Sequence, residues 1–264
     1  MAAKKRLINL KTARVLISND DGIHAPGIKL LEKVVSQMCG DVWVVAPESE
    51  QSATSHSLTV RRPLRIREVS KRHFAADGTP TDSVLLASRE ILKDNPPDLV
   101  LSGVNRGANL GEDVTYSGTV AAAMEATLLG IPSVAFSLVT DDRAAAKWAT
   151  VEHWLPKVLK KLEKFSWPPS VLVNVNFPDR PAKSVTGIRV IPQGRRKIGG
   201  DLHENLDPRG VPYYWIGAQR DEVATRGEND LSVVNAGGIA VTPLSLEMTH
   251  TASIKALKDI FPAD

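Results

Sequence analysis

The chain has 264 residues, of which 42% are apolar and 24% charged, the usage of a folded globular protein; disorder and collagen-like structure are excluded. Thirty-three basic residues against 30 acids leave a net charge of +3, too small an excess to argue for a stable nucleic-acid partner. The single cysteine, Cys39, excludes an internal disulfide and favours a reducing, cytoplasmic setting, and no run approaches the roughly 18 apolar residues of a membrane span.

The first segment, through Leu16, carries basic residues but lacks an apolar run of signal-peptide length. Arg14–Ser18 then reads as a buried strand, followed by the turn Asn19-Asp20-Asp21-Gly22. From Gly27 the apolar residues Ile28, Leu31, Val35 and Met38 recur at helical spacing until Gly40-Asp41 ends the helix. Cys39, at that end, is expected to pack as a small hydrophobe. Val42–Ala46 is the next strand, and the rhythm continues with a helix near Thr81–Leu92, a strand Asp98–Ser102, a helix Thr119–Leu129 and a strand Ser133–Leu138. The stripe Ala121–Leu129 reads as core packing. An amphipathic lysine-rich stretch, Ala144–Phe165, precedes a strand at Val171–Asn176. Strands alternating with helices predict an α/β fold, doubly wound, with a mostly parallel sheet covered on both faces.

The last third changes character, with scattered Pro, Gly and Arg, an aromatic run Tyr213-Tyr214-Trp215-Ile216, a closing strand Gly238–Val241 and a helix only from about Ser253. Two parts are expected: a catalytic core, 1–180, and an extended C-terminal segment, 181–264, packed on the core or exchanged with a partner subunit. The aromatic run suits an intersubunit hairpin or a stack on a base. Arg195-Arg196-Lys197 reads as solvated surface, or as a draw for anions.

Ligands bind beyond the carboxyl ends of the strands in an open parallel sheet, and three polar clusters fall there. The first is Asn19-Asp20-Asp21-Gly22. Neighbouring side chains on an extended strand point to opposite faces, so both carboxylates meet one ion only where the chain turns, at Gly22. Adjacent acids repel unless protonated or bound to a cation; taken alone, the same letters also serve as a turn with an Asp helix cap. The second is the hydroxyl-rich loop Ala46–Ser57, where Ser52 offers an oxygen to a metal. The third is Ser102–Thr119, whose glycines at 103, 107, 111 and 118 let backbone N–H groups approach an anion, and whose end opens a helix. It matches neither the dinucleotide fingerprint nor a Walker loop.

Together the clusters supply oxygen ligands without grouped Cys or His, which favours Mg²⁺ or Mn²⁺ and an arrangement for hydrolysing a phosphate ester. His24 and His56 read as loop packing or, alternatively, as an acid and a phosphate contact. His73, His153, His203 and His250 show no zinc spacing. A non-catalytic receiver-like or nucleotide-sensing module is the competing class, and it leaves the Ser102–Thr119 loop unexplained.

The segments Ile17–Gly27, Val45–Leu58, Gly78–Asp82, Ser102–Asn105 and Ser117–Glu125, with Asp207–Gly210, Tyr214–Gly217 and Val241–Leu244, are similar to those of the SurE family (survival protein E). The resemblance runs from about residue 13 to 245 and departs at Glu228-Asn229-Asp230 and Gly237-Gly238. It implies a Rossmann-like core, a homodimer or homotetramer with exchanged C-terminal parts, and a nucleoside 5′- and 3′-monophosphate phosphatase active on some short polyphosphates. By that likeness Asp20, Asp21, Ser52 and Asn105 would ligate one divalent cation per subunit, with Asp20 and Asp21 catalytic. Asn109, Ser117, Gly118 and Thr119 would hold the phosphate. Whether water attacks phosphorus directly or through an aspartyl-phosphate stays open at this point.

Overall fold

The structure is a computed structural model that describes residues 7–140, 145–198, 201–217, 220–223 and 226–261. Strand β1 (Arg14–Ser18) shows why the opening run carries no polar alternation. Val15 and Ile17 enter the core on one face of the sheet and Leu16 the core on the other, so both faces are covered. Helix α1 (Pro26–Val35) starts with proline in its first turn and buries Ile28, Leu31, Val34 and Val35. Strand β2 (Asp41–Pro47) follows, and Cys39 between them is buried, its thiol donating to the Ala13 carbonyl at 3.0 Å.

Next come β3 (Ile66–Ser70), β4 (His73–Ala76) and α2 (Pro80–Leu86), which a capping box between Thr79 and Asp82 opens. The last turn of the expected 81–92 helix, Ala87–Ile91, widens to π geometry. Strand β5 (Leu99–Arg106), α3 (Gly118–Leu128), β6 (Ser133–Leu138), α4 (Trp148–Leu162) and β7 (Val171–Phe177) complete the expected alternation within a few residues. Of the amphipathic stretch expected over 144–165, Ala144 lies outside the described residues.

The remaining elements are β8 (Ile188–Val190), β9 (Arg195–Ile198), β10 (Leu202–Leu206), β11 (Pro212–Ile216), β12 (Arg220–Val223), α5 (Asp230–Asn235), β13 (Ile239–Ser245) and α6 (Thr251–Ile260). One nine-stranded sheet runs β3-β4-β2-β1-β5-β6-β7-β13-β8. Its six central strands, β4 to β7, are parallel. β3 pairs antiparallel with β4 at one side and β13 antiparallel with β7 at the other, while β8 joins β13 in parallel. Helices α1 and α4 cover one face and α2 and α3 the other. The family-derived expectation of a Rossmann-like, mostly parallel sheet is met. The chain leaves β1 toward β2 and β4, then returns to β5 on the other side of β1, so the strand order reverses between β1 and β5. That switch point is where a ligand crevice opens in such sheets.

Beyond residue 180 the described residues divide. β8 and β13 extend the sheet, whereas β10 pairs only with β11 and β9 only with β12. Every residue of strands β10 and β11 is exposed, including Tyr213, Tyr214, Trp215 and Ile216, and α6 buries none of its side chains.

Candidate active site

The Asp20-Asp21 pair sits just past β1, in a turn the local sequence enforces. The Asn19 side-chain amide donates to the Gly22 carbonyl at 2.9 Å, and Gly22 takes a φ of +96°, which other residues adopt at a cost. The Ile23 N–H then donates to the Pro47 carbonyl at 2.9 Å, tying the turn to the end of β2.

Asp20 is 5% exposed. Its carboxylate accepts from the Thr119 hydroxyl and the Thr119 backbone N–H, so it caps the N-terminus of α3 from another part of the chain. Gly118 permits that approach: a Cβ there would lie 2.7 Å from the Asp20 Cβ. Asp21 is half-buried and accepts from the Arg106 backbone N–H. Burial raises the pKa of Asp20. Burial and the Asp20 charge push Asp21 up to about 7. No salt bridge to either acid forms among the described residues; the Arg106 charge acts on Asp21 from farther away and lowers its pKa slightly against the larger effect of burial.

The second loop is pinned over this turn. The Gln51 N–H donates to the Asp20 carbonyl at 2.8 Å and the Ser55 hydroxyl to the Thr115 carbonyl at 2.7 Å. His56 Nε2 lies 3.0 Å from Glu125 Oε2 on α3. Ala53 and Ser55 adopt left-handed backbone, with φ of 58° and 54°, so two non-glycine residues hold a sparsely populated conformation beside the site. Ser52 stays exposed and donates to Glu50 at 2.7 Å.

The third loop begins with a shift in the β5–β6 register between Ser102 and Asn105, which re-aims the end of β5 toward Asp21. Asn105 Nδ2 donates to the Gly107 carbonyl at 3.0 Å, which leaves its side-chain oxygen uncommitted. Asn109 is buried in a network the sequence reading missed. Its N–H donates to Asn176 Oδ1 at 2.9 Å, its side-chain amide to Ser137 at 2.8 Å, and its carbonyl accepts from Asn174 and Asn176. Two asparagines two apart in an otherwise apolar strand were the available signal, since both point to one face. Ser117 accepts the Val120 N–H at 3.1 Å as the α3 cap.

Arg196 departs from the solvated-surface reading. It is nearly buried and pairs with Asp113 at 2.5 Å, while its N–H donates to Glu112. Asp230, in a segment where the sequence departs from the SurE pattern, is fully buried and accepts from the Gly111 and Gly194 N–H groups at 2.9 and 2.7 Å. Both fasten the third loop from the C-terminal side.

A cavity of about 650 Å³ opens at this rim, within the range of small-ligand sites. Its wall brings together Asp20, Asp21, Ser52, Asn105, Asn109 and Ser117. Thr119 stands behind Asp20 with its donors engaged. The wall also holds Glu50, Arg106, Tyr116 and Trp148, none singled out from the sequence, because each is an ordinary surface residue until the loops converge. His24 and His56 do not line the cavity as described. His73 pairs with Glu32, His203 with Asp201, and His250 lies against Ser253.

The donor set fits a hard divalent cation. No cluster of three His, Cys, Asp or Glu side chains suited to a metal occurs among the described residues, but two carboxylates with neutral Ser and Asn oxygens suffice for an ion that keeps several waters. Asn19 Oδ1, Ser18 Oγ and Ser102 Oγ are buried at the ends of β1 and β5 without hydrogen-bond partners, polar atoms of the kind that ordered water serves.

The sequence model described as survival protein SurE matches residues 15–200. A 5′-nucleotidase SurE from Paramagnetospirillum magneticum is 59% identical over 248 residues, 94% of this chain and 95% of that one. One from Parvibaculum lavamentivorans is 51% identical over 94% of this chain and 91% of its own. The crystal structure of a SurE protein from Aquifex aeolicus superposes with a TM-score of 0.82 at 38% identity, covering 94% of this chain and 99% of that chain.

Proposed function

The chain belongs to the survival protein SurE family, and from that premise we propose that it is a divalent-cation-dependent phosphomonoesterase releasing phosphate from nucleoside 5′-monophosphates. The observation that carries the reading is a pair of adjacent, largely buried carboxylates without a salt-bridge partner among the described residues, facing a cavity at the sheet's switch point. Nucleoside 3′-monophosphates and the ends of short polyphosphates present the same terminal group and are proposed as further substrates.

Asp20, Asp21, Ser52 and Asn105 hold one Mg²⁺ or Mn²⁺ per subunit in this reading. Such an ion, when bound, polarises a phosphoryl oxygen and acidifies water. Thr119 holds Asp20 in place with two donors, so the lone pairs of Asp20 are partly committed. Asp21 accepts one backbone N–H and keeps lone pairs toward the cavity, which assigns it to orienting the attacking water and taking its proton. The Ser117 hydroxyl, whose oxygen accepts from Val120, retains its proton to donate to phosphate, beside the Gly118 N–H. Asn109 positions the loop through β7, and Tyr116 and Trp148 offer flat faces at the cavity wall to the base. The segment 181–264 then completes the sheet through β8 and β13, and offers the β10–β11 hairpin and α6 to a second copy in a dimer or tetramer.

The test is phosphate release from AMP, 3′-AMP and short polyphosphate with Mg²⁺ or Mn²⁺, with and without EDTA. Release that EDTA stops is expected. No release with Mn²⁺ present, or release that EDTA leaves intact, overturns the reading. Direct attack by water further predicts inversion at a chiral phosphorus; retention would assign an aspartyl-phosphate route.

A further inference from the structure

Arg106 is the last residue of β5, exposed, and the only basic side chain on the wall of the cavity among the described residues. Its backbone N–H is taken by the Asp21 carboxylate, which anchors it beside the paired acids. Its guanidinium forms no hydrogen bond or close ion pair among the described residues, although its charge is felt by Asp21 and partly offsets the rise of that acid. By contrast, Arg14, Arg67, Arg189 and Arg196 each pair with a carboxylate.

Two features of the site demand a cation at that spot. The first is charge. Four acids line the cavity, and Arg196 answers one of them, Asp113. Asp20, Asp21 and Glu50 remain, and a divalent ion offsets only two of the three. A phosphate monoester arriving with two further charges would meet a net negative wall. One guanidinium brings that wall to neutrality. The second is the supply of donors. The first turn of α3, the natural phosphate cradle, is partly engaged, which leaves only the Ser117 hydroxyl and the Gly118 N–H: Thr119 serves Asp20 with both its donors and the Val120 N–H serves Ser117. Phosphoryl oxygens therefore need a strong donor from elsewhere, and a planar fork of five N–H groups matches them geometrically.

We propose that Arg106 is the phosphate clamp of this cavity, binding the phosphoryl oxygens of the substrate through its guanidinium. The proposal rests on the phosphomonoesterase reading and adds the residue that selects for an anionic group. It also predicts two effects of opposite sign from one substitution, because the guanidinium repels the cation while attracting the phosphate.

The experiment compares wild type, Arg106→Ala and Arg106→Lys in three measurements: calorimetric titration of the substrate-free protein with Mn²⁺, titration of the Mn²⁺-loaded protein with inorganic phosphate, and steady-state kinetics on AMP. Arg106→Ala is expected to raise the Kd for phosphate and the KM for AMP by about 10- to 100-fold, while Mn²⁺ binds as tightly as in wild type or more tightly. Arg106→Lys keeps the charge without the fork and falls between the two. An unchanged phosphate Kd in Arg106→Ala overturns the clamp while leaving the phosphatase intact. Loss of Mn²⁺ affinity in that variant also overturns it, since Arg106 would then only shape the Asp21 turn. Failure of the wild type to bind phosphate or turn over AMP with Mn²⁺ overturns clamp and activity together.

Discussion

The rim between β1 and β5 and the outer C-terminal elements break the ordinary rule of burial in opposite directions. At the rim, two carboxylates are taken out of water with no salt-bridge partner among the described residues. In the β10–β11 hairpin, by contrast, Leu202, Leu206, Tyr214, Trp215 and Ile216 each stay at least 60% exposed, and Ile260 of α6 is 68% exposed. Buried charge without a partner and exposed apolar surface without a cover are each unfavourable for an isolated chain. Under the proposed function each would be resolved by something the chain does not itself supply: a divalent cation at the rim, a second copy at the hairpin. The two regions therefore identify, by what they lack, the two kinds of partner proposed for this protein.

The sharpest way to break the contrast is to remove the charge at the rim. Asp20→Asn and Asp21→Asn are each expected to lower kcat/KM for AMP by about a thousandfold or more with far-ultraviolet circular dichroism unchanged. An unfolded Asp20→Asn protein would show instead that Asp20 matters chiefly as the α3 cap. Gly118→Ala acts one step back. Its Cβ displaces Asp20 without altering any charge, so kcat/KM is expected to fall by roughly 10- to 100-fold, with weakened Mn²⁺ binding measurable by calorimetry.

The hairpin side is tested by Trp215→Asp with Ile216→Asp. Sedimentation velocity should show a smaller assembly than the wild type, and a melting temperature that the loss of core packing does not lower, because neither side chain is buried in the subunit. The smallest effect concerns pH. Asp21 is raised to about 7 in the folded protein, above its ordinary carboxylate value, so the folded state holds a proton that the unfolded state releases. The associated stability is present below about pH 4 and lost as pH rises through 7. Without divalent ions, Asp21→Asn should therefore melt a few degrees above wild type at pH 8 and level with it near pH 4. Added Mn²⁺ should stabilise wild type at pH 8 and leave the variant unmoved.

Much of the sheet was legible because a parallel strand covered on both faces carries a near-continuous apolar run, as Val15–Ile17 and Val134–Phe136 do. β3 and β4 were not read. β3 is the edge strand, with Arg67, Glu68, Val69 and Ser70 all exposed, and β4 beside it has only four residues, so no long apolar run marks either. The three loops that form the cavity were legible from Gly22, the hydroxyl-rich run and the spaced glycines. Glu50, Arg106 and Trp148 were not, since nothing about an isolated glutamate, arginine or tryptophan states what it will face. Asp230 drew notice only as a departure from the SurE pattern, yet it fastens Gly111 and Gly194 from 0% exposure.

By itself, then, the sequence determined the alternating strands and helices of the sheet's centre, where the chain turns, and that paired acids end the first strand; these are consequences of residue size, polarity and spacing along the backbone. Only the tertiary structure decided that Thr119 spends its donors on Asp20, that Arg196 neutralises Asp113, and that Arg106 is left as the single basic group on the cavity wall among the described residues. Those pairings join residues some 80 to 100 positions apart. Their distances follow from how layers pack, which no local pattern encodes.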